Sequence, residues 1–158
     1  MSKVAKSVAL YLNNGTKELP VWVRIKKSTA LSISYNAETE DFDYIADEVK
    51  TTEVKQYAPS IDQDLAILPK EADYEAINEM RKKLPISSEA HKEFLTVFIN
   101  DGNNTDGFYA EKQDAVVTFS NYNATDGKIN FNIAFCGTRV QGKATIENGE
   151  PSFVADSK

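Results

Sequence analysis

Polar and apolar residues alternate with a period of two along most of this 158-residue chain. In residues 128–136 (KINFNIAFC) every second residue is Ile or Phe, and the residues between them are polar, charged or small. Val21–Ile25 and Leu31–Tyr35 alternate in the same way. Successive side chains of a β-strand point to opposite faces, so this pattern is typical of strands that bury one face. The sequence predicts about eight to ten strands.

One segment has a helical period. In residues 70–84 (KEADYEAINEMRKKL), the apolar residues Tyr74, Ile77, Met80 and Leu84 recur at helical spacing. Acidic residues crowd the first turns and basic residues the last, an order that complements the helix dipole. A proline stands immediately before the segment and another immediately after it. We therefore predict one α-helix at about residues 70–84, with a single apolar stripe that covers a sheet.

A single helix cannot supply the repeated crossovers that a parallel sheet requires. The predicted fold class is therefore mainly β: an antiparallel β-sandwich or small barrel with one flanking α-helix and a long inter-strand loop at about residues 36–52. The length suits one domain, so residues 1–158 are expected to form a single unit.

The predicted loop is strongly acidic. Residues 37–49 (AETEDFDYIADEV) contain six carboxylates and no base, which equals the net charge of −6 carried by the whole chain. Aromatic and aliphatic residues are interleaved with the acids, and a purely solvated loop has no use for them. We predict that the segment docks on a neighbouring copy of the chain through Glu38, Glu40, Asp41, Phe42, Asp43, Tyr44, Ile45, Asp47 and Glu48.

The sequence offers little for catalysis. The only histidine, His91, has no obvious partner, and the only cysteine, Cys136, is interpreted as a small packing residue on a strand. Asp101 and Asp106 lie in an asparagine-rich loop that lacks the spacing of a known calcium motif. We predict no catalytic residue, no cofactor and no metal, and hence that the protein is not an enzyme.

Composition also limits the partners. No stretch approaches the ~20 apolar residues needed to span a bilayer, so no membrane association is predicted. An acidic chain with a pI of about 4.9 is poorly suited to gripping nucleic acid, because such affinity comes from neutralising phosphates. An acidic surface can instead repel DNA and leave it free to move. Four acids on strands or turns are candidates for such a surface: Asp62, Asp64, Asp114 and Asp126.

The order of these elements resembles a known family. After the acidic segment come residues 51–60 (TTEVKQYAPS), a strand beginning IDQD at residue 61, and the predicted helix with EADY at residues 71–74. The chain then closes in GKATI at residues 142–146 and NGEPSF at residues 148–153. Over nearly the whole chain, this order is similar to the major tail protein, or tail tube protein, of long-tailed bacteriophages with non-contractile tails.

The resemblance implies a structural virion protein of the phage tail, assembled in the cytoplasm of a bacterial host. Members of the family form hexameric rings that stack into a hollow tube, and a long loop reaches an adjacent subunit or ring. Some members carry an additional C-terminal immunoglobulin-like domain, which is not expected in residues 1–158. The implied partners are other copies of the chain, the tape measure protein, the tail terminator and the distal tail proteins. DNA passes through the lumen during ejection without being specifically bound, and an acidic lumen would keep it mobile because duplex DNA is densely negative.

Two alternatives remain open from the sequence. A carbohydrate-binding β-sandwich module would display exposed aromatic residues on one face, and Trp22, Tyr57, Tyr109 and Tyr122 are the candidates. A tube protein of a contractile tail or of a type VI-like secretion machine would share the ring architecture and differ in its companion proteins.

Overall fold

The computed structural model describes residues 8–26, 28, 32–46 and 48–156. These residues form ten strands, one α-helix and a short 3₁₀ turn at Ser87–Ala90. In chain order the elements are β1 (Val8–Asn13), β2 (Trp22–Arg24), β3 (Ile33–Ser34), β4 (Glu38–Phe42), β5 (Thr51–Gln56), β6 (Ser60–Ala66), α1 (Ala72–Lys83), β7 (His91–Asn103), β8 (Gly107–Asn123), β9 (Lys128–Glu147) and β10 (Glu150–Ala155).

Eight of the strands form one antiparallel sheet. Seven of them lie in the order β2-β1-β7-β8-β9-β6-β3, and β10 pairs with β9. The remaining strands, β4 and β5, pair only with each other in the described part of the chain and form a separate hairpin. The predicted class, antiparallel β with one flanking helix, is confirmed, and the sheet is not closed into a barrel.

The 20-residue strand β9 pairs with three other strands of the large sheet: β6, β8 and β10. Its first half, from Lys128 to Ala134, pairs with β6 on one side and with β8 on the other. Its second half, from Gly142 to Glu147, pairs with β10, and its Val140–Ala144 stretch pairs with the beginning of β8. The sequence indicates a strand from Lys128 to Cys136 and a further short strand bracketed by Gly137 and Gly142. The structure instead runs one strand through both glycines, because neighbouring strands continue to pair with it.

One strand of the large sheet is paired along only part of one edge. In the described residues, β7 pairs with β8 no further than His91 and Val116, whereas β9 pairs with β8 as far as Asn123. The stretch of β8 after Val116 therefore has a partner strand on one edge only. The segment that leaves α1 and passes through the 3₁₀ turn lies next to this stretch.

The sheet buries apolar side chains on both faces. Alternate residues of β1 belong to different clusters: Leu10 and Leu12 to the first, Ala9 and Tyr11 to the second. The first cluster is larger and is covered by α1. Its largest sheet residues are Phe94 and Phe131 with Ile61, Leu65, Ile129 and Ile133. The second cluster contains Ala9, Tyr11, Leu95, Val97, Ala110 and Ala144, with Trp22, Phe108 and Phe153 packed at its margin.

The helix spans Ala72–Lys83, within the predicted range of about 70–84. Tyr74, Ile77 and Met80 are buried against the sheet, as their spacing predicts. Leu84 was expected on the same stripe, but it is the C-cap residue, with a φ of 46°, and its side chain is 71% exposed. The left-handed conformation turns the chain away before Pro85. No helix in the described ranges has the length and apolar character needed to cross a bilayer.

The predicted inter-strand loop at about residues 36–52 does connect β3 with β6, but it contains paired strands of its own. Strand β4 lies within the predicted loop, and β5 begins at its end and continues to Gln56. The two strands pair antiparallel, with Glu38 opposite Gln56 and Phe42 opposite Thr51, and the register is irregular after Glu38. The acidic excursion is therefore a β-hairpin, and only residues 43–50 form its connecting loop.

Candidate assembly surfaces

The hairpin β4–β5 holds the three acids of β4 in contacts with β5. Lys55 Nζ lies 3.3 Å from Glu40 Oε1, and the Thr52 hydroxyl donates a hydrogen bond of 2.7 Å to Asp41. The Gln56 amide donates to Glu38 at 3.1 Å. All three contacts are solvent-exposed, so each contributes little to stability by itself. Together they fix which strand residues face each other and therefore how the end of the hairpin is presented.

The loop at the end of the hairpin displays apolar side chains to solvent. We name Asp43, Tyr44, Ile45, Glu48 and Val49 the hairpin tip. Tyr44, Ile45 and Val49 are 52%, 105% and 78% exposed, and the Phe42 ring stacks on Tyr44 with centroids 5.6 Å apart. Asp43 and Glu48 are exposed and have no ion-pair partner among the described residues. Asp47, predicted to belong to the same contact, lies outside the described residues.

A second polar surface is formed by alternate residues of β6 and β9. Asp62 and Asp64 project from β6 on the face opposite to Ile61 and Leu65, which are buried under α1. Across the strand pair, the Asn132 amide donates to Asp62 at 2.7 Å, and the Asn130 amide donates to Asp64. We name these four residues the acid–amide ladder. The exposed Thr118 of β8 lies opposite Asn132 and continues the polar surface.

The other two acids proposed for a DNA-facing surface lie elsewhere. Asp114 on β8 forms an ion pair with Lys17, with Nζ and Oδ1 3.0 Å apart. Lys17 also donates a hydrogen bond to this carboxylate, and that bond is the main reason that the pKa of Lys17 is raised. Asp126 lies in the β8–β9 turn, where its carboxylate accepts a hydrogen bond from the Asn123 side-chain amide. Its backbone N–H donates a second hydrogen bond to Asn123 Oδ1. The ladder therefore unites Asp62 with Asp64 but not with Asp114 or Asp126.

The structure gives His91 a neighbour that the sequence did not indicate. Its Nδ1 lies 3.8 Å from the Cys136 sulfur, because β7 and β9 both pair with β8 at this level. A cysteine nucleophile requires a lowered pKa. Here burial raises the pKa of the Cys136 thiol, and the Asp114 carboxylate raises it further. The pair therefore lacks the electrostatics of an activated thiolate.

The described residues contain no group of three or more His, Cys, Asp and Glu side chains arranged to hold a metal ion. Asp106 is occupied in its own turn, where the Asn103 side chain donates to it at 3.3 Å. The asparagine-rich loop is thus an ordinary polar turn in which Asn103 Oδ1 accepts two backbone N–H groups.

The aromatic residues considered for carbohydrate binding have separate environments. Trp22 is half-buried against the second cluster, and Tyr109 bonds to Glu111 and Gln141. The Arg81 guanidinium lies 4.6 Å above the Tyr122 ring. Tyr57 is exposed and lines an open groove of about 570 Å³ at the base of the hairpin, together with Tyr35 and Arg139. They do not form the single aromatic platform that such a module requires.

One surface was missed by the sequence reasoning. Leu84 and Ile86 are 71% and 73% exposed where the chain leaves α1, and Lys83 and Lys92 line a neighbouring groove that shares Pro85 with them. We name these four residues the helix-exit patch. The sequence signal was available in the run Lys83-Leu84-Pro85-Ile86, but the helical period assigned Leu84 to the core.

Comparison with models of known protein families gave no match, and comparison with curated protein sequences gave none either. Comparison with solved structures does show a shared fold. A chain from the tail of an empty GTA particle, determined with helical refinement and C6 symmetry, aligns with 98% of this chain and 100% of its own. The TM-score is 0.51 and the sequence identity is 15%.

Two further structures align less well. A chain from the PVC sheath/tube terminator of an extracellular contractile injection system, in the extended state, has a TM-score of 0.47 and 10% identity, with 89% of this chain and 96% of its own covered. A chain from the baseplate of the anti-feeding prophage has a TM-score of 0.43 and 10% identity, with 89% and 97% covered. At 15% identity, the first comparison shows that this chain has the fold of a chain found in the tail of an empty GTA particle.

Proposed function

We propose that the protein is a structural subunit of a phage-like tail, and that its copies assemble into stacked six-membered rings around a conduit for DNA. The observation that carries this proposal is the hairpin β4–β5. It is a two-stranded sheet with three exposed apolar side chains at its tip, and an isolated hairpin is at best marginally stable in water. A contact with another copy would bury Tyr44, Ile45 and Val49 and give the hairpin the support that it lacks within one subunit.

The partly unpaired edge of β8 supports the same proposal. A strand edge without a partner is a site of uncontrolled pairing unless something covers it. A neighbouring copy in a closed ring would cover the stretch that follows Val116. A contact between two different surfaces closes into a ring when its rotation divides the circle. The sixfold symmetry is proposed from the C6 symmetry of the GTA tail that shares the fold.

The acid–amide ladder is the proposed DNA-facing surface. Duplex DNA carries about one negative charge per 1.7 Å of axis, so a cationic wall would bind it. Asp62 and Asp64 carry charge of the same sign as DNA, and the Asn130 and Asn132 amide groups that could donate to phosphate are already engaged by these carboxylates. Such a wall repels the duplex and gives it few groups to adhere to. Asp114, paired with Lys17, would add little net charge.

Electron microscopy of the purified, concentrated protein tests the proposal. We expect rings or tubes from the native chain. The triple variant Tyr44→Ser, Ile45→Ser, Val49→Ser should remain a 17.6 kDa monomer. The matched control is Leu19→Ser with Val154→Ser, which removes side chains that are 78% and 70% exposed elsewhere, and it should assemble. A native chain that stays monomeric in every solution condition, or a triple variant that assembles as well as the control, would overturn the proposal.

The proposed tail is of the non-contractile type, as the resemblance of the sequence implies. Particles purified with the protein should then contain tape measure, terminator and distal tail proteins but no sheath. A sheath protein around the assembled tube would show instead that the subunit serves a contractile machine.

A further inference from the structure

The helix-exit patch presents two apolar side chains where a solvated surface would normally be polar. Leu84 adopts φ 46° and thereby leaves the buried stripe of α1, and the following Pro85 ends the helix. Leu84, Pro85 and Ile86 line an open groove of about 410 Å³, whose opposite wall is the partly unpaired stretch of β8 around Val117. Adjacent exposed apolar residues of this kind mark interaction surfaces more often than isolated ones do.

Two lysines with no ion-pair partner in the described part of the chain lie in the adjoining groove. Lys82 is paired with Glu79 at 3.1 Å, and Arg81 is engaged by Asn78 and by the Tyr122 ring. Lys83 and Lys92, in contrast, have no carboxylate within ion-pair distance in the described residues. Both line a second groove of about 350 Å³ on the other side of Pro85. Glu79 and Glu89 also line this groove. Glu79 is paired with Lys82, so in the described residues Glu89 is the one carboxylate of the groove left to oppose the charge of the two lysines.

The hairpin tip has the complementary arrangement. Asp43 and Glu48 accompany the apolar Tyr44, Ile45 and Val49 at the tip. In the helix-exit patch, Lys83 and Lys92 line the groove that adjoins the groove of Leu84 and Ile86 at Pro85. We propose that the hairpin tip of one copy docks on the helix-exit patch of another copy, with the apolar residues packed in the groove beside Pro85 and with Asp43 and Glu48 facing the lysines. The inference rests on the proposed function and names the surface that receives the hairpin.

The contact joins two copies, since both surfaces are exposed in the same chain. Ile45 is 105% exposed and Ile86 is 73% exposed, so neither side chain is buried by the described residues of its own subunit. Complementary charge steers the two surfaces together and fixes their register, and the apolar residues supply the burial. The two surfaces are different, so each copy has one donor and one acceptor, as a ring or a stacked tube requires.

Mixed disulfide cross-linking tests the contact directly. Two variants are made in a Cys136→Ser background, one with Ile45→Cys and one with Ile86→Cys, so that a disulfide between positions 45 and 86 can form only between copies. A disulfide requires Cα atoms about 4.4–6.8 Å apart, which makes the readout local. The matched control replaces Ile86→Cys by Val154→Cys, at a residue 70% exposed on β10. We expect the 45–86 heterodimer in assembled particles and no 45–154 heterodimer.

Charge reversal supplies a second readout. Asp43→Lys with Glu48→Lys, or Lys83→Glu with Lys92→Glu, should raise the concentration needed for assembly by about tenfold or more, because like charges then face each other. Mixing equal amounts of the two variants should restore assembly, since half of the contacts regain opposite charges. Particles that form without a 45–86 cross-link, or a mixture that is no better than either variant, would overturn this inference and leave the proposed function intact. A native chain that never assembles would overturn both.

Discussion

The side chain of Asp73, at the start of α1, accepts a hydrogen bond from the backbone N–H of Lys26, with Oδ2 and N 2.9 Å apart. Its other oxygen accepts the N–H of Tyr74 at 2.8 Å, and the residue is 1% exposed. The carboxylate therefore joins the first turn of the helix to the chain that leaves β2. It also supplies negative charge where the helix dipole favours it.

Replacing this carboxylate should weaken the attachment of the helix. We expect Asp73→Ala to lower the free energy of unfolding by about 2–3 kcal/mol, because two backbone N–H groups lose a charged acceptor in a buried place. Asp73→Asn keeps one carbonyl oxygen and should cost less. Asp43→Ala, at an exposed acid of the hairpin tip, is the control and should change stability by less than about 0.5 kcal/mol. Urea unfolding followed by circular dichroism measures all three, and equal losses for Asp73→Ala and Asp43→Ala would contradict the assignment.

The buried Tyr11 should tolerate loss of its hydroxyl group. In the described residues, that oxygen is buried without a hydrogen-bond partner. Tyr11→Phe should therefore leave the free energy of unfolding unchanged or raise it by up to about 1 kcal/mol, since an unsatisfied polar group is removed. Tyr109→Phe is the contrast, because the Tyr109 hydroxyl is bonded to Glu111 at 2.7 Å and to Gln141 at 2.8 Å. That variant should lose about 1 kcal/mol.

The same tyrosine predicts a pH dependence. Burial raises the pKa of Tyr11 above its ordinary value of 10.0, so the folded protein holds this proton more tightly than the unfolded chain does. The contribution of Tyr11 to stability is therefore complete below pH 10 and is lost as the pH rises from 10 through the folded-state pKa. In unfolding measured from pH 8 to 11, the decline should be shallower for Tyr11→Phe than for the native chain. An identical decline would contradict the direction of the shift.

The thiol of Cys136 should react slowly. Because burial and the nearby Asp114 carboxylate raise its pKa, less thiolate is present at pH 8 than in an unfolded peptide, where the thiol pKa is about 8.5. Alkylation by iodoacetamide should be slower in the folded protein and faster in Asp114→Asn, which removes the carboxylate. Asp126→Asn, in the turn between β8 and β9, should leave the rate unchanged. An Asp114→Asn rate no higher than the native rate would show that burial alone controls the thiol.

The acid–amide ladder predicts how assembled particles treat DNA. Asp62→Lys should convert a repelling surface into one that retains duplex DNA, with binding that weakens steeply as salt is added. Glu75→Lys makes the same charge change at an exposed position of α1 and should not retain DNA. The measurement is co-sedimentation of labelled duplex with assembled particles between low and physiological salt. Retention by both variants, or by neither, would argue against placing Asp62 on the conduit wall.

The local chemistry of the sequence was enough to predict the helix and the strand alternation. Prolines on both sides of residues 70–84 and the segregation of acids from bases specified α1 before any packing was known. The alternation of Ile and Phe in β9 likewise predicted the buried face, where Ile129, Phe131 and Ile133 are at most 2% exposed. Such features depend only on neighbours in the chain, so they can be read from one sequence.

The features that depend on distant pairing were not predictable. Residues 38–42 (ETEDF) have neither an apolar face nor strong strand propensity, and they form β4 because β5 pairs with them. Gly137 and Gly142 indicated breaks, yet β9 continues through them. Gly142 is accommodated because the Val154 carbonyl and the Ala155 backbone of β10 lie where a side chain would be. The ladder depends on a register between β6 and β9, about 70 residues apart, that places Asp62 opposite Asn132.

Strand β9 pairs with β6 through its first half and with β10 through its second half, and this has a mechanical consequence. Its first half cannot be pulled from β6 without tension reaching the second half, because a single covalent strand runs through both. Stretched between its ends in an optical trap, the subunit should therefore rupture in one force peak and not in two successive ones.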